Sequence, residues 1–325
     1  MEPRLRLVVL AAAVVGVLEV SCTAIADFPE PRTRDADVDA DADAEAETEV
    51  AADADGDADC NAAADADAEA DAETDTDAPS CPDGMVLVPA GPFVMGSDPG
   101  EGFEGYEEPE HVVTLSTFCI DLTEVTAADY RSCVRAGGCL PTPPRCERRD
   151  EHPVVCVKWP DAYSYCSWLG KRLPTEAEWE KAARGGCEVV PPASCGFEDE
   201  RTYPWGEDAP TCCHANYCGC IQPCTGGRAV AGTDAVAARP AGDSPYGAHD
   251  MAGNAMEWVQ DCWADSYSSV PPCSDPSGAR LGEMGVLRGG AWILGPDSLR
   301  AAFRSRSDPG NASPWYGFRC AYDSW

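Results

Sequence analysis

Hydrophobic positions along this chain fall into short, irregular groups rather than long periodic runs. The run MVLVPAGPFVM carries apolar residues on both sides of a Pro-Ala-Gly-Pro turn, which predicts two strands over Met85–Met95. Further apolar stretches predict strands over Val112–Ile120 and Val154–Val157. Short strands separated by segments rich in Gly and Pro predict a loop-rich domain.

Three segments carry helix signals. One helix is predicted over Thr126–Ala136, closed by two glycines, and an amphipathic helix over Asp161–Leu169. The strongest local signal is a capping box, in which Thr175 and Glu178 each satisfy an unpaired backbone N–H of the other. That helix runs through Ala183 and stops at the next glycine pair, and regular structure is predicted to be sparse from there to the C-terminus.

The stretch Gly247–Trp263, GAHDMAGNAMEWVQDCW, combines a turn with an apolar element. Its glycines and asparagine suit backbone conformations with positive φ. The carboxylates of Asp250 and Glu257 and the exposed carbonyls of Gly253 and Ala255 are hard oxygen donors, as Ca²⁺ requires. The alternative is a turn whose polar side chains bond only their own backbone.

Charge is distributed unevenly over the 325 residues. The formal net charge is −34, and residues 27–79 hold 21 acidic residues against two arginines. That Asp/Ala-rich segment has almost no apolar residue beyond Ala, so it is predicted to be a disordered linker. Because the chain is so acidic, it has no electrostatic basis for binding nucleic acid or an anionic membrane surface.

The N-terminus predicts export. The basic start and the apolar run Leu7–Leu18 are too short to span a bilayer and typical of a signal peptide. Cleavage after Ala26 would release a free protein, whereas the lipobox-like segment Leu18–Cys22 would attach a lipid at Cys22. We favour the lipoprotein, so contact with a membrane is expected only through this anchor. The domains are 1–26, 27–79 and 80–325.

Nineteen cysteines exclude a reducing cytosol and indicate an oxidising compartment. Without Cys22 an even number remains, which permits complete pairing. Cys60 lies inside the linker, and it could pair with Cys81 or with another molecule.

Several sequence blocks together resemble the formylglycine-generating enzyme (sulfatase-modifying factor) family. They cover nearly all of residues 85–322, in the family's order. The blocks are MVLVPAGPFVMGS, EVTAADY, HPVVCVKW, WLGKRLPTEAEWEKAARGG, YPWGED, PAGDSPYGAHDMAGNAMEWVQDCW, VLRGGAW and GFRCA.

The resemblance implies an irregular, loop-rich α+β fold related to C-type lectins, with disulfides and bound calcium. Four residues match the family's second calcium site: Asp250, Gly253, Ala255 and Glu257. Asn216 and the carbonyl of Tyr217 match part of the first site, whose other ligands fall in an altered loop where Asp234 is a guess.

The family's oxidase activity is not expected to carry over. Members that make formylglycine use two cysteines that hold copper, in the segment matching Gly289–Arg319, and here that segment contains no cysteine. Copper is therefore not expected. A second branch uses histidine-bound iron in an additional helical domain, which is not expected here, and His249 is predicted to be structural.

The resemblance also implies a disulfide between Cys166 and Cys320, while the family's other disulfide maps to Ala183 and Ala301. The additional cysteines are expected to pair locally. A cysteine group around His214 could bind zinc or copper, but disulfides are favoured in an exported chain. The expected pairs are Cys133 with Cys139 or Cys146, Cys187 with Cys195, and Cys262 with Cys273; the group is Cys212, Cys213, Cys218, Cys220 and Cys224.

These features predict a non-catalytic protein of the cell envelope or surface that binds an extracellular protein or glycan. The predicted surface places arginines beside aromatic rings, a combination that suits carboxylates, sugars or extended peptide. The arginines could instead pair with the domain's own acids. An oxidase with an unrecognised metal site and a structural envelope protein are two competing hypotheses. The predicted surface residues are Trp292, Arg300, Arg304, Arg306 and Trp315.

Overall fold

A computed structural model describes the domain that follows the acidic segment. The described residues are 80–100, 102, 105–146, 149–189, 201–218, 220, 232–267 and 283–323. The predictions of a signal peptide, a lipid anchor and a disordered linker lie outside these residues, as do Cys60, Cys195, Cys224 and Cys273.

The described residues form a mixed α+β domain in which every regular element is short. The strands are β1 (Met85–Val88), β2 (Gly91–Met95), β3 (His111–Leu115), β4 (Phe118–Asp121), β5 (Met256–Cys262), β6 (Gly285–Arg288), β7 (Arg304–Ser307), β8 (Tyr316–Phe318) and β9 (Ala321–Asp323). The helices are α1 (Ala127–Arg135), α2 (Trp159–Trp168) and α3 (Glu176–Arg184).

Three sheets organise these strands. An antiparallel sheet in the order β1-β4-β9 joins the two ends of the described domain, with Val88 opposite Phe118 and Ile120 opposite Ala321. A four-stranded sheet has the order β7-β6-β5-β8, in which β5 and β8 run parallel. Its register places Glu257 between Arg288 on β6 and Gly317 on β8. Strands β2 and β3 form a separate antiparallel ribbon.

Helices α1 and α3 begin where the sequence predicts. Thr126 caps α1 by accepting a hydrogen bond from the backbone N–H of Asp129, 3.1 Å away. At α3 the capping box is complete, because Thr175 accepts from the Glu178 N–H while the Glu178 carboxylate accepts from the Thr175 N–H. Helix α2 begins two residues before its predicted start, since Pro160 fits the first turn of a helix.

Two buried apolar clusters lie on the faces of this scaffold. One surrounds Trp179 of α3 and joins it to Phe118, Ile120 and Val259. The other surrounds Trp258 of β5 and contains Tyr130 and Tyr165 of the first two helices with Phe318 of β8. Strand β5 therefore contributes to both clusters, since alternate side chains of a strand point to opposite faces.

Two strand predictions are wrong. The segment Val112–Ile120 forms two strands in different sheets, because a two-residue break separates the half-exposed β3 from the buried β4. No strand forms over Val154–Val157, although its side chains are buried. Its backbone turns at Cys156, whose φ of 61° is incompatible with an extended strand.

The C-terminal third contains more regular structure than predicted. Strands β6 to β9 have only three or four residues each, and β7 has the sequence RSRS. No apolar alternation identifies such a strand. Its residues are extended because β6 supplies hydrogen-bonding partners along the whole of β7.

Five disulfides link the described residues. Cys166 pairs with Cys320, as the resemblance implies, and Cys133 pairs with Cys139, one of its two expected partners. Cys81 pairs with Cys119 and not with Cys60, and this bond attaches the start of the domain to β4. The other two join Cys146 to Cys156 and Cys212 to Cys220.

Several intramolecular disulfides indicate folding in an oxidising compartment outside the cytoplasm. Within the described ranges, no helix has both the length and the hydropathy needed to cross a membrane.

Candidate functional site

The turn that leads into β5 is built on unusual backbone conformations. Asp250, Gly253 and Asn254 have φ values of 55°, 82° and 57°. Asn254 is buried, and its side-chain oxygen accepts hydrogen bonds from the Asp234 N–H at 2.8 Å and from Asn216 Nδ2 at 3.2 Å. A residue in the left-handed region is stable here because its side chain and backbone are bonded on several sides.

A carboxylate cluster lies around this turn. Glu257 is completely buried, and its two oxygens accept hydrogen bonds from Arg319 at 2.7 Å each and from Trp179 Nε1 at 2.8 Å. Glu124, also buried, accepts from Asn254 Nδ2 at 3.1 Å and from the Ala255 N–H at 3.2 Å. We call Glu124, Asp250 and Glu257 the carboxylate cluster.

The electrostatics of the carboxylate cluster are unfavourable to three negative charges. Burial raises the pKa of Glu124 well above its usual value, and the charges of Asp250 and Glu257 raise it further. Burial likewise raises the pKa of Asp250 to about 6, against the opposing effects of a hydrogen bond from the Ala237 N–H and the charge of Arg319. With Arg319 as the principal neighbouring cation, a proton or a bound cation would relieve the excess negative charge.

The calcium predicted at this turn stays a prediction, and the oxygen donors present can be compared with what it needs. Glu257 Oε1 accepts one hydrogen bond, from Arg319, and a carboxylate oxygen has a second lone pair available. Among the described residues, no group of three His, Cys, Asp or Glu side chains is arranged to hold a metal ion. A calcium ion here would therefore bind partly through the carbonyls of Gly253 and Ala255, as calcium commonly does in proteins.

The residues matching the first calcium site fit an ion less well. The Tyr217 carbonyl accepts a hydrogen bond from the Cys220 N–H at 3.1 Å, and Asn216 Nδ2 donates to the carbonyl of Gly232 at 3.0 Å. Asp234 is paired with the guanidinium of Arg239, which contacts it at 2.5 and 3.0 Å. Calcium bound through Asn216 and Tyr217 stays a prediction.

His249 has structural contacts. Its ring nitrogen Nδ1 lies 2.6 Å from Asp243 Oδ1, and its carbonyl accepts a hydrogen bond from Arg319 Nη2 at 2.9 Å. These contacts fix the turn beside the carboxylate cluster, in agreement with the structural role predicted for this histidine.

The structure contradicts part of the predicted ligand surface. The Arg304 side chain is completely buried and binds both oxygens of Glu176, at 2.7 and 2.8 Å, so it cannot reach an external ligand. Arg300 is mostly buried and binds both oxygens of Glu107, at 2.5 and 2.8 Å. Both arginines compensate buried acids, which is the competing interpretation of their place in the sequence.

Arg306 differs from these two because its side chain is exposed. It pairs with exposed Asp265 at 2.6 Å, and its guanidinium lies about 5 Å from the ring centres of Tyr106 and Trp263. An exposed pair of this kind contributes little stability, so Arg306 could exchange its partner for a ligand.

The two predicted tryptophans lie on either side of the start of β5. The Trp292 N–H donates to the carbonyl of Asn254 at 3.1 Å, and the Met256 N–H donates to the carbonyl of Trp315 at 2.9 Å. Both indoles are partly exposed. The indole nitrogen of Trp292 is buried, yet it has no acceptor within the part of the chain that the structure describes.

Sequence reasoning missed the partners of the buried charges. Glu124 and Arg319 lie in the EVTAADY and GFRCA blocks, and Glu180 of α3 binds Arg288 of β6 at 2.5 Å. A charged residue inside an apolar block was the available signal, because such a residue needs a buried partner. The sequence did not indicate which acid meets which base.

Comparison with known proteins identifies relatives of the described domain. A family model for the sulfatase-modifying factor enzyme 1-like domain matches residues 69–324. A formylglycine-generating enzyme of Thermomonospora curvata is 32% identical, over 74% of this chain and 93% of that protein. An inactive C-alpha-formylglycine-generating enzyme 2 of Bos taurus is also 32% identical, over 73% of this chain and 87% of that protein.

Other relatives differ in length or in name. The serine/threonine-protein kinase pkn1 of Chlamydia pneumoniae is 36% identical over 73% of this chain, but the match spans only 37% of that longer protein. Among solved structures, PvdO from Pseudomonas aeruginosa matches with a TM-score of 0.59 and 29% identity, over 74% of this chain and 94% of that one.

A relative named as a formylglycine-generating enzyme and one named inactive both match, so similarity alone does not decide whether this chain is catalytic. The buried acid–base pairs lie within the residues that the family model covers. The chain belongs to the sulfatase-modifying factor enzyme 1-like domain family.

Proposed function

We propose that this chain is an exported, non-catalytic binding protein that holds an extracellular protein or glycan on the surface around Trp292 and Trp315. The observation that carries the proposal is the indole N–H of Trp292. It is buried without an acceptor among the described residues, on a side chain that is itself partly exposed. Because an unmade hydrogen bond is costly, a ligand oxygen that reached this N–H, once the atoms covering it moved aside on binding, would be favourable.

The chemistry of the surrounding residues supports binding through aromatic rings more than through charge. Arg300 and Arg304 are bound to internal carboxylates, which leaves Trp292, Trp315 and Arg306 as the available groups. Tryptophan offers a broad apolar face and one N–H donor, a combination common at interfaces with peptides and sugars.

The absence of cysteine from residues 289–319 supports a non-catalytic role. Copper(I) chemistry requires soft sulfur ligands, and this segment supplies none. Calcium at the turn before β5 would act as a structural cation, with Asp250, Glu257 and two backbone carbonyls as its ligands.

Binding to peptide and glycan arrays tests the proposal. Trp292→Phe keeps the ring but removes the N–H, so we expect the wild-type chain to bind a subset of probes and the variant to bind them about five- to tenfold more weakly. Trp168→Phe is the matched control, because Trp168 is an exposed indole outside this surface. Equal binding by wild type and Trp292→Phe, or no bound probe at all, would contradict the proposal.

The competing function is an oxidase of exported proteins, which the similarity to formylglycine-generating enzymes favours. A cysteine-containing peptide incubated with the chain in air, with and without added copper, distinguishes the two functions. Conversion of the cysteine to an aldehyde with consumption of O₂ would replace the binding proposal. We expect no conversion.

A further inference from the structure

A cavity of about 220 Å³ lies between helix α1 and the loop that follows it, outside the surface around Trp292 and Trp315. Its walls are largely apolar, formed by Tyr130 and Val134 of α1 together with Pro141 and Val154. Arg131 and Arg135, from the same helix, complete the lining. An apolar cavity with two arginines among its lining residues suits a ligand that is itself part apolar and part anionic.

The two arginines differ in how far they are available to an anion. Arg135 is exposed and donates a hydrogen bond to the hydroxyl of Ser132 at 2.8 Å; in the described part of the chain no carboxylate pairs with it. Arg131 has partners of its own, among them Asp150, whose side chain is 79% exposed; an ion pair this exposed can exchange with solvent or with a ligand.

The walls of the cavity are held rigidly. The disulfide Cys133–Cys139 fixes the end of α1 against the following loop, and Cys146–Cys156 fixes the far end of that loop. The Tyr130 hydroxyl donates to the carbonyl of Leu140 at 2.9 Å. A preformed cavity binds a ligand without first having to order its own loop, which lowers the entropic cost of binding.

We propose that this cavity binds a carboxylate attached to a compact apolar group, with the apolar group against Val134 and Val154 and the carboxylate on Arg135, beside Arg131. A planar guanidinium pairs with a carboxylate through two parallel hydrogen bonds, which favours this anion. Such a group exists both as a free small acid and as an apolar C-terminal residue of a peptide. The site is independent of the surface around Trp292 and Trp315.

Isothermal titration of the purified chain tests the site. The probes are 3-phenylpropionate, its neutral amide, and a tripeptide ending in phenylalanine with a free or an amidated C-terminus. We expect a free carboxylate to bind at least about tenfold more tightly than the matching amide. Tighter binding of the free acid assigns the site to small molecules, and tighter binding of the peptide assigns it to protein C-termini.

Three variants locate the binding. Arg135→Gln removes the unpaired charge and Thr142→Phe fills the cavity from its rim, so each should weaken binding about tenfold or more. Lys158→Gln removes one exposed positive charge away from the cavity and should leave binding unchanged. Thermal melts verify that all three variants fold.

Two outcomes would overturn the inference. One is the absence of saturable binding of every carboxylate probe to the wild-type chain. The other is binding that survives both Arg135→Gln and Thr142→Phe, with Arg135→Gln changing only the melting temperature. In that case Arg135 would serve the last turn of α1, where a cation favours the helix dipole.

Discussion

Arg319 illustrates how single residues stabilise this domain. Its side chain is completely buried, binds both oxygens of Glu257 and reaches the carbonyls of Asp121 and His249. One guanidinium thus joins the β1-β4-β9 sheet, the turn before β5 and β5 itself. A buried charge is stable only when its donors are matched in this way.

Loss of this guanidinium should therefore be severe. Arg319→Met leaves Glu257 buried without its cation, and we expect a loss of about 3–5 kcal/mol in the free energy of unfolding or failure to fold. Arg306→Met, at an exposed arginine, should cost about 0–1 kcal/mol. Urea unfolding of both variants measures the difference. Similar losses would show that the buried Arg319–Glu257 pair contributes no more stability than the exposed Arg306 does.

The predicted calcium site can be tested by a substitution at Asp250. Asp250→Asn removes a carboxylate from the proposed site but keeps the shape of the side chain, and Glu257 remains bound to Arg319. EGTA should lower the melting temperature of the wild-type chain, because a ligand that binds only the folded state stabilises it. The variant should have lost this response.

Asp265→Asn, at an exposed carboxylate, is the control for that experiment and should respond to EGTA as the wild type does. A wild-type melting temperature that is the same with EGTA and with added calcium would refute the calcium site. Direct metal analysis of the purified chain gives an independent answer.

Asp261 should make stability depend on pH. Burial raises its pKa to about 7, the charges of Glu176 and Glu178 add to this, and a 2.6 Å hydrogen bond from the Glu176 N–H and the charge of Arg304 oppose it. The folded chain therefore holds this proton more tightly than the unfolded chain. Its contribution to stability is full below about pH 4 and is lost as the pH rises through about 7.

Asp261→Asn should remove that dependence. Between pH 4 and pH 7.5, the free energy of unfolding of the wild type relative to the variant should fall by on the order of 1–3 kcal/mol. Asp208→Asn, at an exposed carboxylate, should follow the wild type. Parallel pH profiles for wild type and Asp261→Asn would exclude this residue as the source.

At the scale of elements, helices with local signals could be predicted from the sequence, whereas strands that depend on tertiary pairing could not. Helix α3 was predicted from its capping box, in which the cap and its partner lie three residues apart, and α1 from the glycine pair that closes it. Strand β7 was not, because its RSRS sequence is extended only through pairing with β6. The failed strand at Val154–Val157 has a strand-like composition, but Cys156 is held in a turn and bonded to Cys146.

The capping box of α3 can be tested by substitution. Thr175→Ala removes the acceptor for the Glu178 N–H, and we expect a loss of about 1 kcal/mol in the free energy of unfolding. Thr175→Ser keeps the hydroxyl, so its free energy of unfolding should fall by only about a few tenths of a kcal/mol. Equal losses in urea unfolding would mean that the methyl group, and not the cap, matters.

At the scale of the whole molecule, disulfides and buried ion pairs replace long regular elements. Cys166–Cys320 closes a separation of 154 residues and attaches α2 to the C-terminal block, whereas Cys133–Cys139 closes only six. Buried acid–base pairs such as Glu180–Arg288 join α3 to the four-stranded sheet. A disulfide persists in the unfolded chain, so the long loop closed by Cys166–Cys320 restricts that chain strongly.

The disulfides Cys166–Cys320 and Cys133–Cys139 should therefore differ in their contribution to the free energy of unfolding. Replacing Cys166 and Cys320 together by Ala should cost about 5 kcal/mol, and replacing Cys133 and Cys139 about 2 kcal/mol, if loop closure in the unfolded chain dominates. Chemical unfolding of the two double variants measures the ranking. A larger loss at Cys133–Cys139 would mean that packing in the folded state governs the effect.

The sequence by itself determined the family, the capped helices and the Cys166–Cys320 pair that the family implies. Each is readable from a motif or from neighbouring residues. Tertiary structure alone decided which acid meets which base, and so it moved Arg304 from the predicted surface into the core beside Glu176. It also brought Glu124 and Asp250 to one turn. Residues far apart in sequence meet only when strands pair, and local composition does not specify that pairing.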